Sequence, residues 1–317
     1  MDSIIASEQE KPMSKRYGFL FPGQGAQYVG MGADLYDKYA KARDTYERAT
    51  DILEFDLKEV SFQGPEEKLR QTRYTQPAIL VHSLAVLSVL GQVEPILVAG
   101  HSLGEYSALY AAGALDFGSV LRLVKRRAEL MAEEGEKNPG TMAAILGLDA
   151  AVVEELCQEA GGVVVCANYN EPKQTVVSGE VQAVKKVAEL AQARGALKAV
   201  MLPVSGAFHS PLLARSARDF AEFLALFPIS EPRCPVIANA TGRPASTAAE
   251  IGECLAAQLR SPVRWVQTMQ SAKELGCTAF VEAGPGRVLA GLARKIDRDF
   301  EVIPVGTADQ VAAVLAS

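Results

Sequence analysis

Residues 96–106 read Ile-Leu-Val-Ala-Gly-His-Ser-Leu-Gly-Glu-Tyr. An apolar run ends at Gly100, and a helical pattern follows Gly104. This is the setting of the G-x-S-x-G turn, in which small flanking residues let a serine take a strained, exposed position between a strand and a helix. The stretch therefore predicts a nucleophile elbow with Ser102 as the attacking residue.

The regions on either side of this elbow alternate between short apolar runs and helical patterns. The predicted strands are 17–21, 95–99, 277–281 and 300–304, and the predicted helices include 78–90, 106–112 and 288–296. Strands that alternate with helices build a parallel sheet with helices packed on it. We therefore expect the α/β fold class, with an α/β-hydrolase-like large domain that carries the nucleophile elbow.

The middle of the chain follows a different pattern. Its predicted order is strand, helix, strand, strand, helix, strand, which is the ferredoxin-like arrangement. Turn signals at Asn138-Pro139-Gly140 and Ser205-Gly206 bound this segment. We predict a small domain at 138–205, inserted in a large domain made of 17–137 and 206–317, with 1–16 as a loose polar tail.

Composition excludes several classes of function. The chain has 317 residues, a net charge of -6 and a pI near 5.3, so it has no basic field for nucleic acid or anionic lipid. The longest apolar region, 78–99, is too interrupted for a membrane span. The five cysteines are scattered and form no C-x-x-C pair, which is typical of reduced thiols in the cytoplasm. We predict no metal site and no bound cofactor.

A serine hydroxyl needs a base to remove its proton, and the chain has three histidines. His82 lies in an apolar helical pattern, which favours a core histidine. His101 is adjacent to Ser102, where side chains diverge, so it is expected to shape the turn. His209 lies in the irregular loop 205–211, where the chain re-enters the large domain, and it is the predicted base.

Acyl chemistry at a serine also needs N–H donors for the oxyanion. The turn supplies one from the backbone of Leu103. The loop 22–27, Pro-Gly-Gln-Gly-Ala-Gln, follows the first strand and is the candidate for the second donor. A dinucleotide site is rejected because Tyr28 stands where the third glycine of G-x-G-x-x-G would fall, and no P-loop Gly-Lys-Ser/Thr follows.

These residues together resemble the malonyl-CoA:acyl carrier protein transacylases and the acyltransferase domains of polyketide and fatty acid synthases. The resemblance extends from Phe21 to about Leu292. It is carried by the following motifs: Phe-Pro-Gly-Gln-Gly-Ala-Gln (21–27), Gly-His-Ser-Leu-Gly-Glu-Tyr (100–106), Ala-Asn-Tyr-Asn (167–170), Ala-Phe-His-Ser (207–210), Pro-Val-Arg-Trp (262–265) and Glu-Ala-Gly-Pro-Gly (282–286).

The resemblance implies a role for each matching position. Ser102 would be the acylated nucleophile and His209 its base, with the His209 ring oriented by main-chain carbonyl and not by an acid. The oxyanion hole would be formed by the backbone N–H groups of Gln24 and Leu103. The predicted substrate-binding residues are Arg127, Gln258, Asn170, His101 and Phe208.

The direction of the Arg127 side chain can also be predicted from the pattern of its helix. Val120, Val124, Ala128 and Met131 form an apolar stripe, and the spacing of Arg127 from Val124 and Met131 directs it inward. A buried guanidinium needs a carboxylate partner, from the protein or from the substrate. The resemblance assigns it to the carboxylate of a malonyl group. The sequence Ala207-Phe208-His209 resembles the malonyl-selecting form of the family.

We therefore expect a two-step transfer of malonyl from coenzyme A to the phosphopantetheine thiol of an acyl carrier protein supplied by a separate chain, by a monomeric enzyme. Two alternatives remain at this level. A serine hydrolase would share the same catalytic groups, and a silent carrier-binding scaffold would have lost one of them. The sequence leaves open whether the pathway makes fatty acids or polyketides.

Overall fold

The computed structural model describes residues 17–91, 94–204 and 206–316. The predicted tail 1–16 and Ser205, at the predicted domain boundary, lie outside the described residues.

The described residues form ten strands. They are β1 (Gly18–Phe21), β2 (Val98–Gly100), β3 (Gly140–Leu146), β4 (Val164–Glu171), β5 (Gln174–Glu180), β6 (Lys198–Met201), β7 (Val236–Ile237), β8 (Pro244–Ala245), β9 (Ala279–Ala283) and β10 (Glu301–Val305).

The same residues form thirteen α-helices, with a π-helical turn at Glu59–Gln63 and a 3₁₀ turn at Pro211–Leu213. The α-helices are α1 (Ala33–Lys38), α2 (Ala40–Leu53), α3 (Glu66–Leu69), α4 (Thr72–Leu90), α5 (Gly104–Ala111), α6 (Phe117–Lys137), α7 (Ala150–Ala160), α8 (Val181–Ala193), α9 (Ala214–Leu224), α10 (Ala248–Gln258), α11 (Trp265–Glu274), α12 (Val288–Ile296) and α13 (Ala308–Leu315).

The larger sheet has the strand order β10-β9-β1-β2-β7-β8. Its first five strands are parallel, and β8 runs antiparallel to β7. All four strands predicted for this part of the chain are present, so the α/β class with a parallel sheet is confirmed. The sequence analysis missed β7 and β8 because two-residue strands are too short to show a pattern.

Helices cover both faces of this sheet. On one face the core includes α4, which is apolar around nearly its whole circumference and packs between α2 and α6. On the other face, Trp265 and Met269 of α11 pack with Phe280 of β9 and Leu289 of α12. The sheet is therefore buried on both sides, as parallel sheets require.

The smaller sheet lies entirely between Gly140 and Met201. Its strand order is β4-β5-β3-β6, all adjacent pairs are antiparallel, and α7 and α8 pack on it through a separate apolar core. This is the ferredoxin-like arrangement that the sequence predicted. The exact domain limits at 138 and 205 stay predictions.

A backbone connection ties the small sheet to the larger unit. The N–H of Val263 donates to the Ala167 carbonyl (2.8 Å), and the N–H of Tyr169 donates to the Val263 carbonyl (2.9 Å). Strand β4 is thereby hydrogen-bonded to the segment that leads into α11. This connection brings the end of β4 close to the turn that follows β2.

Candidate active site

The turn between β2 and α5 places Ser102 in a left-handed backbone conformation, with φ of 51°. A Cβ on Gly100 would overlap the backbone of Gly104, and a Cβ on Gly104 would overlap the carbonyl of Phe21. Both positions therefore require glycine, because neither neighbour is a flexible side chain. The conformation of Ser102 costs free energy, and such strain is concentrated at functional sites.

His209 lies directly beside this serine. Its Nε2 is 2.7 Å from the Ser102 Oγ, and the residue is 4% exposed. Its Nδ1 lies 3.0 Å from the carbonyl of Gln258 and 3.1 Å from that of Ser261. Two carbonyl acceptors require the proton on Nδ1, which leaves Nε2 free to accept the serine proton. Main-chain carbonyls orient this ring, with no carboxylate at Nδ1 among the described residues.

Burial, together with the charge of Arg127, lowers the pKa of His209 to about 3. The imidazole is therefore neutral at pH 7, the form in which it can accept a proton. His209 also has a left-handed backbone, with φ of 57°. Among the described non-glycine residues, only Glu54 shares a positive φ with Ser102 and His209.

The side chain of Arg127 points from α6 into the same site and is 1% exposed. Its Nη2 donates to the Ser102 Oγ at 3.0 Å, and its Nη1 donates to the Gln76 Oε1 at 2.6 Å. Its Nε and Nη2 both donate to the Gln258 Oε1, at 3.2 and 3.1 Å. Within the described part of the chain no carboxylate forms an ion pair with this guanidinium. It lies over the Tyr106 ring, 5.5 Å from the centroid, and Gln258 links it to Glu105, which acts on its charge.

Gln258, at the end of α10, links these groups. Its Nε2 donates to the Ser102 carbonyl at 3.0 Å and to the Glu105 Oε2 at 2.5 Å. Burial raises the pKa of Glu105 to about 7, although hydrogen bonds from Gln258 and Asn239 and the charge of Arg127 oppose that rise. Glu105 is thus a buried supporting group beneath the turn.

On the opposite side of Ser102, the small sheet contributes a contact. The His101 Nε2 lies 2.8 Å from the Asn170 Oδ1, and the His101 ring also contacts Trp265, with centroids 5.4 Å apart. Burial is the main cause that lowers the pKa of His101. His101 therefore joins the turn to β4.

A cavity of about 150 Å³ opens over these groups. All the predicted site residues except Gln258 line it. They are Gln24, His101, Ser102, Leu103, Arg127, Asn170, Phe208 and His209. Gln258 lies behind the cavity, 1% exposed, against Arg127.

The remaining histidine lies elsewhere. His82 is fully buried in α4, where its Nε2 is 2.8 Å from the Gly306 carbonyl, and burial lowers its pKa to about 4. It is a core residue outside the cavity.

The sequence analysis missed two polar residues of this site. Gln76 contacts Arg127 from α4, and Asn239 hydrogen-bonds the nucleophile turn from the end of β7. No signal marked Gln76, because it lies in the polar start of α4, Thr-Arg-Tyr-Thr-Gln (72–76), before the predicted helix 78–90. The signal for Asn239 was its position directly after the short apolar run 235–238 and before Gly242.

No helix in the described ranges is both long and apolar enough to cross a membrane. Across the same residues, no group of three or more His, Cys, Asp and Glu side chains could hold a metal ion.

Comparison with known proteins defines the class. The model of the acyl transferase domain family matches residues 18–308. The chain belongs to the acyl transferase family.

Individual relatives within that family give a more detailed comparison. The malonyl CoA-acyl carrier protein transacylase of Bacillus subtilis is 41% identical over 304 residues, which cover 94% of this chain and 96% of that protein. The structure of the malonyl CoA-acyl carrier protein transacylase from Coxiella burnetii is 39% identical, with a TM-score of 0.92 over 95% of this chain and 97% of that one.

A third relative was solved with its partner. It is a malonyl-transacylase in complex with a type II polyketide synthase acyl-carrier protein, 38% identical, with a TM-score of 0.92 over 95% of this chain and 99% of that chain. This chain is thus similar over most of its length to malonyl transacylases.

Proposed function

We propose that this protein transfers a malonyl group from malonyl-CoA to the phosphopantetheine thiol of an acyl carrier protein, through an ester on Ser102. The similarity to malonyl transacylases over 94% of the chain supports this reaction. The same relatives support a role in supplying fatty acid or polyketide synthesis. The five unpaired cysteines agree with a cytoplasmic location, and we propose a monomer.

The observation that carries the malonyl assignment is that no carboxylate of the described residues forms an ion pair with Arg127. A buried guanidinium is costly unless an anion pairs with it, and within the described residues its partners are neutral amides and a hydroxyl. A free carboxylate at the end of an acyl group would supply that anion in a planar, two-pronged geometry. An acetyl group would not, so Arg127 is the proposed selector.

The first step begins with proton transfer from the Ser102 hydroxyl to the His209 Nε2. Oγ attacks the thioester carbonyl, and the oxyanion forms against the backbone N–H groups of Gln24 and Leu103, its proposed hole. The C–S bond then breaks, and the coenzyme A sulfur takes the proton from Nε2. The malonyl group remains on Oγ as an ester.

The second step reverses this chemistry with a different thiol. The carrier thiol gives its proton to Nε2 and attacks the ester carbonyl, and Ser102 leaves with that proton. Both thiols belong to a pantetheine arm, so one cavity serves both substrates in turn. Ping-pong kinetics are the expected result.

The experiment is a labelling assay with radioactive malonyl-CoA and, separately, acetyl-CoA. Wild-type protein should become labelled by malonyl, and Ser102→Ala should abolish the label. Arg127→Ala should lower the rate of malonyl labelling about 100-fold, the effect of losing two charge-assisted hydrogen bonds. Acetyl labelling should fall less, because it loses only the hydrogen bond from Arg127 to the Ser102 Oγ. Added carrier protein should remove the label.

Arg126→Ala is the matched control. Arg126 lies on the same helix but is partly exposed and faces Glu129 and Glu133, so its loss should leave malonyl labelling unchanged. Equal labelling of the wild type by acetyl-CoA would contradict the role of Arg127. Loss of label to water at the same rate with and without carrier would indicate a hydrolase instead.

A further inference from the structure

Asn239 contacts the nucleophile turn from outside it. It follows β7 and is fully buried. Its Oδ1 accepts a hydrogen bond from the Ser102 N–H at 2.6 Å, and its Nδ2 donates to the Gly100 carbonyl at 2.6 Å. One side-chain amide therefore bridges two backbone groups on either side of His101.

These two backbone groups need an external partner. Ser102 has a left-handed φ. Its N–H lies after the regular hydrogen-bond pattern of β2 and before the first turn of α5. A buried peptide group without a partner is costly. A carboxamide offers one acceptor and one donor in a rigid plane, which matches an N–H and a C=O at once.

Asn239 is itself held in place. Its carbonyl accepts from the Arg264 N–H at 3.1 Å, and its own N–H makes a long contact of 3.4 Å to the Glu105 Oε2. Glu105 also accepts from Gln258, which donates to the carbonyl of Ser102. The backbone of Ser102 is thus hydrogen-bonded at its N–H and at its C=O by side chains from two different elements.

We propose that Asn239 is a positioning residue for acyl transfer, which fixes the strained backbone of Ser102 so that Oγ faces the His209 Nε2. Asn239 is not among the residues that line the cavity, so it acts through Ser102 and not on the substrate. Its loss should slow acylation and leave substrate affinity intact. The choice of malonyl-CoA as the assay substrate rests on the function proposed above.

The test uses Asn239→Asp, which has the same shape and keeps an acceptor for the Ser102 N–H but places a second acceptor against the Gly100 carbonyl. The single-turnover rate of acylation by malonyl-CoA should fall about 100-fold, since displacements near 1 Å at a reacting group have effects of that size. The dissociation constant for malonyl-CoA, measured with Ser102→Ala and with the double variant Ser102→Ala/Asn239→Asp, should agree within about twofold.

Asn239→Ala is the second variant, because it removes both hydrogen bonds without adding a buried charge. It should slow acylation at least about 10-fold. Val236→Ala is the matched control: it lies on β7, is 1% exposed and should lower stability while leaving the acylation rate unchanged. Thermal unfolding of all three variants compares their losses of stability.

Two results would overturn the proposal. One is a wild-type acylation rate in both folded Asn239 variants. The other is a rate for Val236→Ala that falls as far as theirs at an equal loss of stability. A serine-directed fluorophosphonate provides an independent readout. If the wild type reacts with it but not with malonyl-CoA, the proposed function fails, while slower labelling of the Asn239 variants still supports the positioning role.

Discussion

The Nη2 of Arg127 lies 3.0 Å from the Oγ of Ser102, and the same oxygen lies 2.7 Å from the His209 Nε2. The hydroxyl accepts from the arginine, so its own proton points to the histidine. One buried cation therefore orients the serine and favours its deprotonated form. The same charge helps to keep the histidine neutral.

The lowered pKa of His209 makes the protein sensitive to acid. Its pKa is about 3 in the folded protein and about 6.5 in an unfolded chain, so the unfolded state binds more protons between these values. Folding stability is therefore complete above pH 6.5 and falls as the pH is lowered through this window. By pH 5 the loss from this one group is about 2 kcal/mol.

His209→Asn isolates that contribution. Asparagine tolerates a left-handed backbone and can donate to the Gln258 carbonyl, but it does not titrate. The difference in free energy of unfolding between wild type and variant should therefore shrink by about 2 kcal/mol from pH 7 to pH 5. Urea unfolding at both pH values measures it. A difference that stays constant would show that His209 titrates normally.

The backbone strain at Ser102 predicts different stabilities for two substitutions that both remove the hydroxyl. A left-handed conformation costs alanine about 1–2 kcal/mol but is freely accessible to glycine. We expect Ser102→Gly to be more stable than Ser102→Ala by about 1 kcal/mol, measured by chemical unfolding. Neither variant should acylate. An alanine variant as stable as the glycine variant would mean that the turn relaxes.

The close approach of the backbone at Gly104 predicts that adding a single methyl group there strongly lowers the free energy of unfolding. A Cβ there would overlap the Phe21 carbonyl, so Gly104→Ala should lower the free energy of unfolding by at least about 2 kcal/mol. Gly291→Ala in α12 is the control, because a Cβ there meets no described atom within 4 Å, and it should raise stability by about 0.5–1 kcal/mol. Thermal unfolding with calorimetry compares the two. Equal effects would contradict the close packing of the turn.

The hydrogen bond between His101 and Asn170 predicts that Asn170 contributes more to stability than Asn168, which is similarly buried. Asn170→Ala should lower stability by about 1–3 kcal/mol, since it leaves a buried ring nitrogen of His101 without its partner. Asn168→Ala is the control on the same strand: it is similarly buried, and its Oδ1 has no hydrogen-bond partner among the described residues. It should cost less. Urea unfolding of both variants decides the point, and a larger loss for Asn168→Ala would contradict it.

Much of the fold could be predicted because its signals are local. The elbow at 100–104 needs only small residues around a serine, between an apolar run and a helix. The inward direction of Arg127 follows from the apolar stripe of its own helix. Strands β7 and β8 could not be predicted, because two residues each show no periodicity and their pairing depends on β2 being adjacent to β7.

The sequence by itself determined the alternation of the longer strands and helices, the tight turn at Ser102 and the candidate base, since each depends on residues close together in the chain. Only the tertiary structure decided which groups surround Ser102. Asn239 lies 137 residues from Ser102, and Gln258 lies 131 residues from Arg127. Such contacts form only when β7 and α10 pack against the turn. No periodicity encodes whether a buried arginine meets a carboxylate or the amides of Gln76 and Gln258.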